Sequence, residues 1–406
     1  MNKVELLAPA GNMEKLQYAL AFGADAVYLG GKAFGLRAMG GNFTVDEIRA
    51  ATEYAHKLNK KVYVTVNSFP HEGETNLLDK YLADLNEIGV DALLVADLGV
   101  FSKALEFAPN IPKHISTQAN TVNSASVQMW QKLGAARVVL ARELSRKEII
   151  DLSKKVDIEL EAFVHGAMCI AYSGRCLLSS YMTGRDANRG ACTGACRWKY
   201  SLVEETRPDE EFPIMEDESG TYIMNSKDLC LLPYLPDLIE NGIVSLKIEG
   251  RMKSVHYVSS VVKAYRMAID SYYNDKENYS VKKEWLDELE KVSHRPYTTG
   301  FFLNKPEADA QVYSSSSYEQ TSDFIGVVKE YNPQTKIALV EQRNHFTKGE
   351  EIELFSPNLP IFRQTVEEIT DLDNNPIEKA ANAKMQLLMK MASDVEPFTI
   401  LRRDCK

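Results

Sequence analysis

From Glu5 to Tyr273 the chain repeats one rhythm, a short run rich in Val, Leu, Ile or Ala followed by a longer amphipathic run. Such alternation builds βα units, because strands sharing a parallel sheet are apolar on both faces while the crossover returns as a helix with one apolar stripe. Eight strands are expected: ELLAPAG from Glu5, AVYLGG from Ala26, KVYVTVNS from Lys61, ALLVADLG from Ala92, HISTQAN from His114, RVVLAREL from Arg137, ELEAFVHG from Glu159 and SLKIEGR from Ser245. Helical runs between them carry start signals, with Asn42 or Thr44 ahead of VDEIRAATEYAHKLN and Ser145 ahead of RKEIIDLSKKV. The last helix is SVHYVSSVVKAYRMAIDSYY. The count predicts an α/β (β/α)8 TIM-like barrel; a doubly wound open sheet is the rival and normally has fewer strands.

Functional groups of such barrels gather at the carboxyl ends of the strands. Those ends are polar here: Asn67, Asp97, Thr117 with Gln118 and Asn120, Arg142 with Glu143, Glu161 with His165, and Lys247 with Glu249 and Arg251. Glu161, His165 and Lys247 are the candidate catalytic groups, and Gln118, Arg142 and Arg251 the candidate substrate contacts. The plainer reading is that about half of them orient loops or pair with one another.

The run after strand seven, CIAYSGRCLLSSYMTGRDANRGACTGAC, holds four of the six cysteines and is expected as a long insertion over the barrel mouth. No window reaches about 18 apolar residues, and MNKVELLAPAG enters a strand directly, without a charged leader and cleavage site. The chain is therefore expected in the cytoplasm, where clustered thiols serve as metal or redox groups rather than disulfides. Cys169, Cys176, Cys192 and Cys196 are separated by six, fifteen and three residues. Structural zinc sites pair cysteines two to four residues apart, so Cys192 and Cys196 suit zinc and the other two suit it less. An iron-sulfur cluster accepts wider spacing, and Gly174, Gly190 and Gly194 let backbone amides approach it. Spacing favours a cluster and leaves zinc or unliganded thiols open. Tyr172, Tyr181 and Trp198 flank the thiols, as packing or as surfaces for a base.

The formal net charge of -10 argues against a surface that is basic all over. Locally, Gly166 to Tyr200 carries Arg175, Arg185, Arg189, Arg197 and Lys199 against Asp186, a net +4, whereas Ser201 to Gly220 has eight carboxylates against Arg207, a net -7. An anionic ligand would meet the first segment, with Arg185 and Arg189 as contacts, and be repelled by the second.

Domains are expected at 1–302 (barrel, insertion about 166–240), 303–322 (linker, after the extended arm KVSHRPYTTGFFLN) and 323–406 (small β-barrel). The last rests on short strands IGVVKEYN, IALVEQRN, EEIELFSP, RQTVEEITD and KMQLLMKM at about ten-residue spacing. VEQRNHFTKGEEIEL resembles small barrels of translation factors, a pointer to RNA; covering the large barrel or making a dimer is the alternative.

ELLAPAG, GADAVYLGG, FVHGAMCIAYSGRCLLSSYMTGRDANRGACTGACRW, SLKIEGR and HRPYTTGF together resemble the collagenase-like peptidases, family 32 of the unknown-type class, over essentially the whole chain. Within that family the sequence is most similar to the branch that hydroxylates the tRNA wobble uridine at carbon 5, through SGRCLLS, GACTGACRW, SHRPYTTGF and the carboxyl-terminal barrel. The resemblance implies a [4Fe-4S] cluster on Cys169, Cys176, Cys192 and Cys196, with Cys230 as a substitute ligand or, on an apolar helix face, a core residue. It also implies prephenate as co-substrate, held by Arg142, Lys247 and Arg251, a tRNA anticodon loop as partner, no membrane, and a homodimer or a heterodimer with a paralogue. The alternatives are a collagenase-like hydrolase, for which His165 before Cys169 is the only base in reach and no HExxH, GxSxG or Walker loop occurs, and a non-catalytic iron-sulfur scaffold.

Overall fold

A computed structural model describes residues 3–35, 41–168, 178–185, 192–194, 202–204, 207–212, 227–303 and 319–405. All eight expected strands form. They are β1 (Glu5–Pro9), β2 (Ala26–Gly30), β3 (Lys61–Val66), β4 (Ala92–Val95), β5 (Lys113–Ile115), β6 (Arg137–Val139), β7 (Glu159–Ala167) and, after β8 (Leu202–Glu204), β9 (Arg207–Phe212) and β10 (Asp228–Cys230), β11 (Ile243–Ile248). Each barrel strand pairs in parallel with the next, and β11 pairs with both β7 and β1, so the sheet closes. The period of two sorts the side chains. Leu6, Ala8, Val27, Leu29, Val62 and Val64 face the helices, while Leu7, Ala26, Tyr28, Tyr63, Ala92, Leu94 and Val139 fill the barrel.

Capping follows the sequence signals with one change. Thr44 forms a capping box with Glu47, and Ser145 one with Glu148. Asp97, expected at the mouth, instead accepts from the Val100 N–H at 3.0 Å and caps the helix Leu98–Phe107.

The insertion is rooted at the mouth by a small sheet. β10 returns antiparallel to the end of β7, with Asp228 opposite Ala167 and Cys230 opposite His165, and β12 (Tyr297–Thr298) adds to β10. The segment read as an extended arm thus supplies the edge strand of this junction. Gly166 permits this: its φ is +105°, and a Cβ there would sit 2.5 Å from the Glu249 carbonyl oxygen. Cys230 lies on this strand, not on a helix; it is 8% exposed, and burial pushes its thiol up to about 11.

Beyond the barrel, strands Ser322–Asn332, Ile337–Gln342, Glu351–Phe355, Phe362–Thr365, Ile369–Thr370, Gln386–Lys390 and Ile400–Asp404 form a seven-stranded sheet with its own core. Gln364, on one edge strand, donates to the Lys390 carbonyl at 3.1 Å and accepts from the Ala392 N–H at 2.8 Å, so the sheet curls towards closure. The sheet packs on the outside of the large barrel through Tyr18 against Phe398 (5.1 Å) and Phe22 against Phe355 (5.0 Å). Arg402, fully buried there, donates to both oxygens of Glu288 at 2.5 and 2.7 Å and to Glu353 at 2.8 Å. The expected linker falls largely on residues 304–318, outside the described ones. Among the described residues no helix is long and apolar enough to cross a membrane.

Candidate active site at the barrel mouth

A column of paired charges runs up the barrel interior. Glu161, with no exposed surface, accepts from Lys247 Nζ at 2.9 Å and from Arg137 at 3.1 Å. Arg137 also reaches Glu5 at 2.6 Å and Glu159 at 2.7 Å, and the Ser245 hydroxyl donates to Glu5 at 2.8 Å. Isolated charges at such depth would cost several kcal/mol each, which is why they come with partners. Burial works to raise the Glu161 carboxyl, but Lys247 and Arg137 hold it below its ordinary range. Burial lowers Lys247 from the usual lysine value even with Glu161 beside it. His114, in the same interior, is pushed down to about 3 by burial and by Arg137, and is neutral.

Above this column opens a cavity of about 70 Å³, lined by Tyr28, Thr65, Asn67, Leu94, Thr117, Gln118, Phe163, Lys247, Glu249 and Arg251. That is room for a few waters. Lys247 Nζ lies 4.5 Å from the Tyr28 ring centre and 5.4 Å from that of Phe163, two aromatic faces that hold a cation. Arg251, 5% exposed, donates to Thr65 Oγ1 at 3.4 Å and to Asn42, the residue read as an alternative helix cap. Gly30 leaves room for it: a Cβ there would sit 2.5 Å from the guanidinium and would have to displace it. Opposite lies an amide shelf. Asn67 Nδ2 donates to Ser116 Oγ at 3.2 Å and to Gln118 Oε1 at 3.1 Å, and Ser116 donates to the same Gln118 oxygen.

The fold therefore brings Gln118, Lys247 and Arg251 together around one cavity, with Glu161 one layer below. It does not bring His165 there. Expected at the mouth, His165 points outwards and is buried among Tyr257, Tyr265 and Tyr297, with ring centres 6.0, 5.5 and 5.3 Å away. The bulge between Lys247 and Ile248 in the β7–β11 register accompanies this change of face. Burial pushes its imidazole down to about 3. Arg142 lies outside the cavity lining, its guanidinium 5.0 Å from the Phe163 ring centre and donating to the Ala167 carbonyl at 2.7 Å. Its neighbour Glu143 has its carboxyl raised by burial.

Arg185 is exposed just past the helix Leu178–Thr183. Cys192 is exposed, and its Sγ accepts from the Gly194 N–H at 3.4 Å. Cys169, Cys176, Cys196, Arg189, Tyr172, Trp198 and the side chain of Tyr181 lie outside the described residues. Tyr28, Thr65 and Phe163 were missed from the sequence. The alternation that carries it was there to read: Phe163 follows Glu161 by two positions, and Tyr28 precedes Gly30 by two.

The model of peptidase family U32 matches residues 11–312, and that of the family's C-terminal domain matches residues 320–402. The chain belongs to peptidase family U32. tRNA hydroxylation protein P1 of Bacillus subtilis is 44% identical over 99% of this chain and 95% of that protein. tRNA hydroxylation protein P of Escherichia coli is 39% identical over 88% of this chain and 87% of that one. The 23S rRNA 5-hydroxycytidine synthase of Escherichia coli is 33% identical over 78% of this chain and 48% of that one.

Proposed function

We propose that this U32 protein hydroxylates carbon 5 of the tRNA wobble uridine without molecular oxygen, using a [4Fe-4S] cluster and prephenate as oxygen donor. The observation that carries this reading is the 44% identity, over 99% of the chain, to a protein named for tRNA hydroxylation. The likeness spans the barrel, the insertion and the carboxyl-terminal sheet together.

Cys169, Cys176, Cys192 and Cys196 would hold the cluster, which when bound supplies electron-transfer chemistry beside the substrate. The one of these thiols within the described residues fits that role: Cys192 is exposed and takes a backbone N–H on its sulfur, the kind of contact that stabilises a thiolate ligand. Lys247 and Arg251 supply cations to the carboxylates of prephenate, and Arg142 lies beside Phe163, outside the cavity lining. Glu161 keeps Lys247 in place. A wobble base is already poorly stacked, so drawing it into the mouth costs a few kcal/mol at most. Arg185 and Arg189 meet the RNA backbone. The hydrolase reading loses its candidate base, because His165 is enclosed by tyrosines and held neutral.

Anaerobic purification with iron, sulfide and spectral analysis, together with nucleoside mass spectrometry of tRNA from a strain lacking the gene, tests the proposal. About four iron and four sulfide per chain, lost in the Cys176→Ala, Cys192→Ala variant, and disappearance of 5-hydroxyuridine are expected. A metal-free or zinc protein, or unchanged tRNA, would reject it.

A further inference from the structure

The amide shelf of the mouth cavity has an unused hydrogen-bonding edge. Asn67 is 6% exposed and spends its amide nitrogen twice, on Ser116 and Gln118, so its orientation is set. Its Oδ1 is buried and has no hydrogen-bond partner among the described residues. Gln118 is the complement. Its Oε1 accepts from both Asn67 and Ser116, which leaves its amide NH2 without a partner among the described residues. Two neighbouring side chains on the cavity wall thus present one acceptor and one donor. A buried polar atom left unpaired costs about 1–3 kcal/mol, so such an edge marks a place where a ligand completes the bonding.

We infer that Asn67 and Gln118 read the imide edge of uracil and exclude cytosine. Uracil offers an N3–H beside a carbonyl oxygen, a donor and an acceptor that match Asn67 Oδ1 and the Gln118 NH2. Held by its ribose in the same orientation, cytosine reverses that edge, with an N3 lone pair beside an amino group, and would set lone pair against lone pair and N–H against N–H. Sites built on buried hydrogen bonds discriminate strongly for this reason, since the wrong ligand leaves the buried Asn67 Oδ1 unpaired. The cavity, about 70 Å³ above the Lys247–Glu161 pair, is about half the volume that encloses a benzene ring, so it takes the hydrogen-bonding edge of the base. The inference rests on the hydroxylation reading above and names the residues that set its base specificity.

The test uses the full-length protein purified anaerobically, with anticodon stem-loops carrying uridine or cytidine at the wobble position. Binding is measured for both, and 5-hydroxyuridine is counted in tRNA from a deletion strain complemented with each variant. Asn67→Ala should lower 5-hydroxyuridine by roughly 10- to 100-fold, the effect of one buried partner lost, and remove the preference for the uridine loop. Asn67→Asp, which loses both N–H bonds that orient the edge and turns the Gln118 NH2 towards its carboxylate, and Gln118→Glu, which replaces the donor, should each lose it. These last two carry the test if the alanine variant does not fold. Unchanged product with Asn67→Ala, or lower product with the uridine preference intact in every variant, overturns the inference while the hydroxylation reading stands. Absence of 5-hydroxyuridine with the wild-type gene removes that reading, and equal wild-type binding of the two loops then removes the base-reading edge as well.

Discussion

Glu161→Gln is the substitution that most directly probes the charged column. Glu161 and Lys247 are 0% and 3% exposed and 2.9 Å apart, so the amide keeps one hydrogen bond but leaves the ammonium without its counter-charge. Removing one member of a buried pair costs about 3–5 kcal/mol. Arg137 keeps Glu5 and Glu159 as partners, so only the lysine side is left uncompensated and the loss should fall near ~3 kcal/mol. The deficit must also depend on pH. Burial already depresses Lys247 in the fold, and losing Glu161 depresses it further. The unfolded chain, with an ordinary lysine, then binds more protons than the folded one, so stability of the variant rises with pH towards the unfolded lysine value. The slope is at most ~1.4 kcal/mol per pH unit, and the gap to wild type narrows as pH rises from neutral towards the ordinary lysine value. Urea unfolding followed by circular dichroism across that range measures it. Adding Lys247→Met to the variant removes the stranded charge and should recover most of the loss. A deficit under ~1 kcal/mol, or one that ignores pH, would show that the two groups are not an ion pair in the fold.

Other outcomes follow from the same geometry. Arg402→Met leaves Glu288 and Glu353, at the junction with the carboxyl-terminal sheet, with Lys291 as their shared cation and should cost about 3 kcal/mol in urea unfolding. Against the opposing effect of burial, Arg402 and Lys291 hold the Glu353 carboxyl low. The stability Glu353 contributes is present above its ordinary pKa and disappears as pH falls through the depressed one, so the Arg402→Met deficit should shrink in acid. His165→Phe should preserve tRNA hydroxylation within a few-fold, because the neutral imidazole packs among tyrosines; a hundredfold loss in a folded variant would return His165 to the chemistry. Arg185→Glu with Arg189→Glu should weaken tRNA binding with iron content unchanged and reduce the salt slope by about two; a slope equal to wild type would move the RNA contact elsewhere.

What the chain spells out locally was readable without a structure. Eight apolar runs, their intervening helices and the Thr44 and Ser145 caps depend on near neighbours, and each appears where the pattern puts it. The polar carboxyl ends were legible in part: Asn67, Gln118, Lys247 and Arg251 line the mouth cavity, whereas Asp97 caps a helix and Arg142 and His165 stand outside it. The cysteine spacing is equally legible as a stretch, and the family likeness adds its meaning. Direction across a strand is different. One irregular step beside Ile248 turned His165 from the mouth to the helices, and no property of FVHG announces it. Asp97 and Asn42 had two uses each, and long-range neighbours chose between them: the helix start claimed Asp97, and Arg251, 209 residues away in sequence, claimed Asn42. The pairing of Asp228 with Ala167 across the insertion, the Arg402 junction and the unpaired edge of Asn67 and Gln118 are likewise decided only when distant strands meet, since hydrogen bonds and desolvation act over a few ångströms of space and not along the chain.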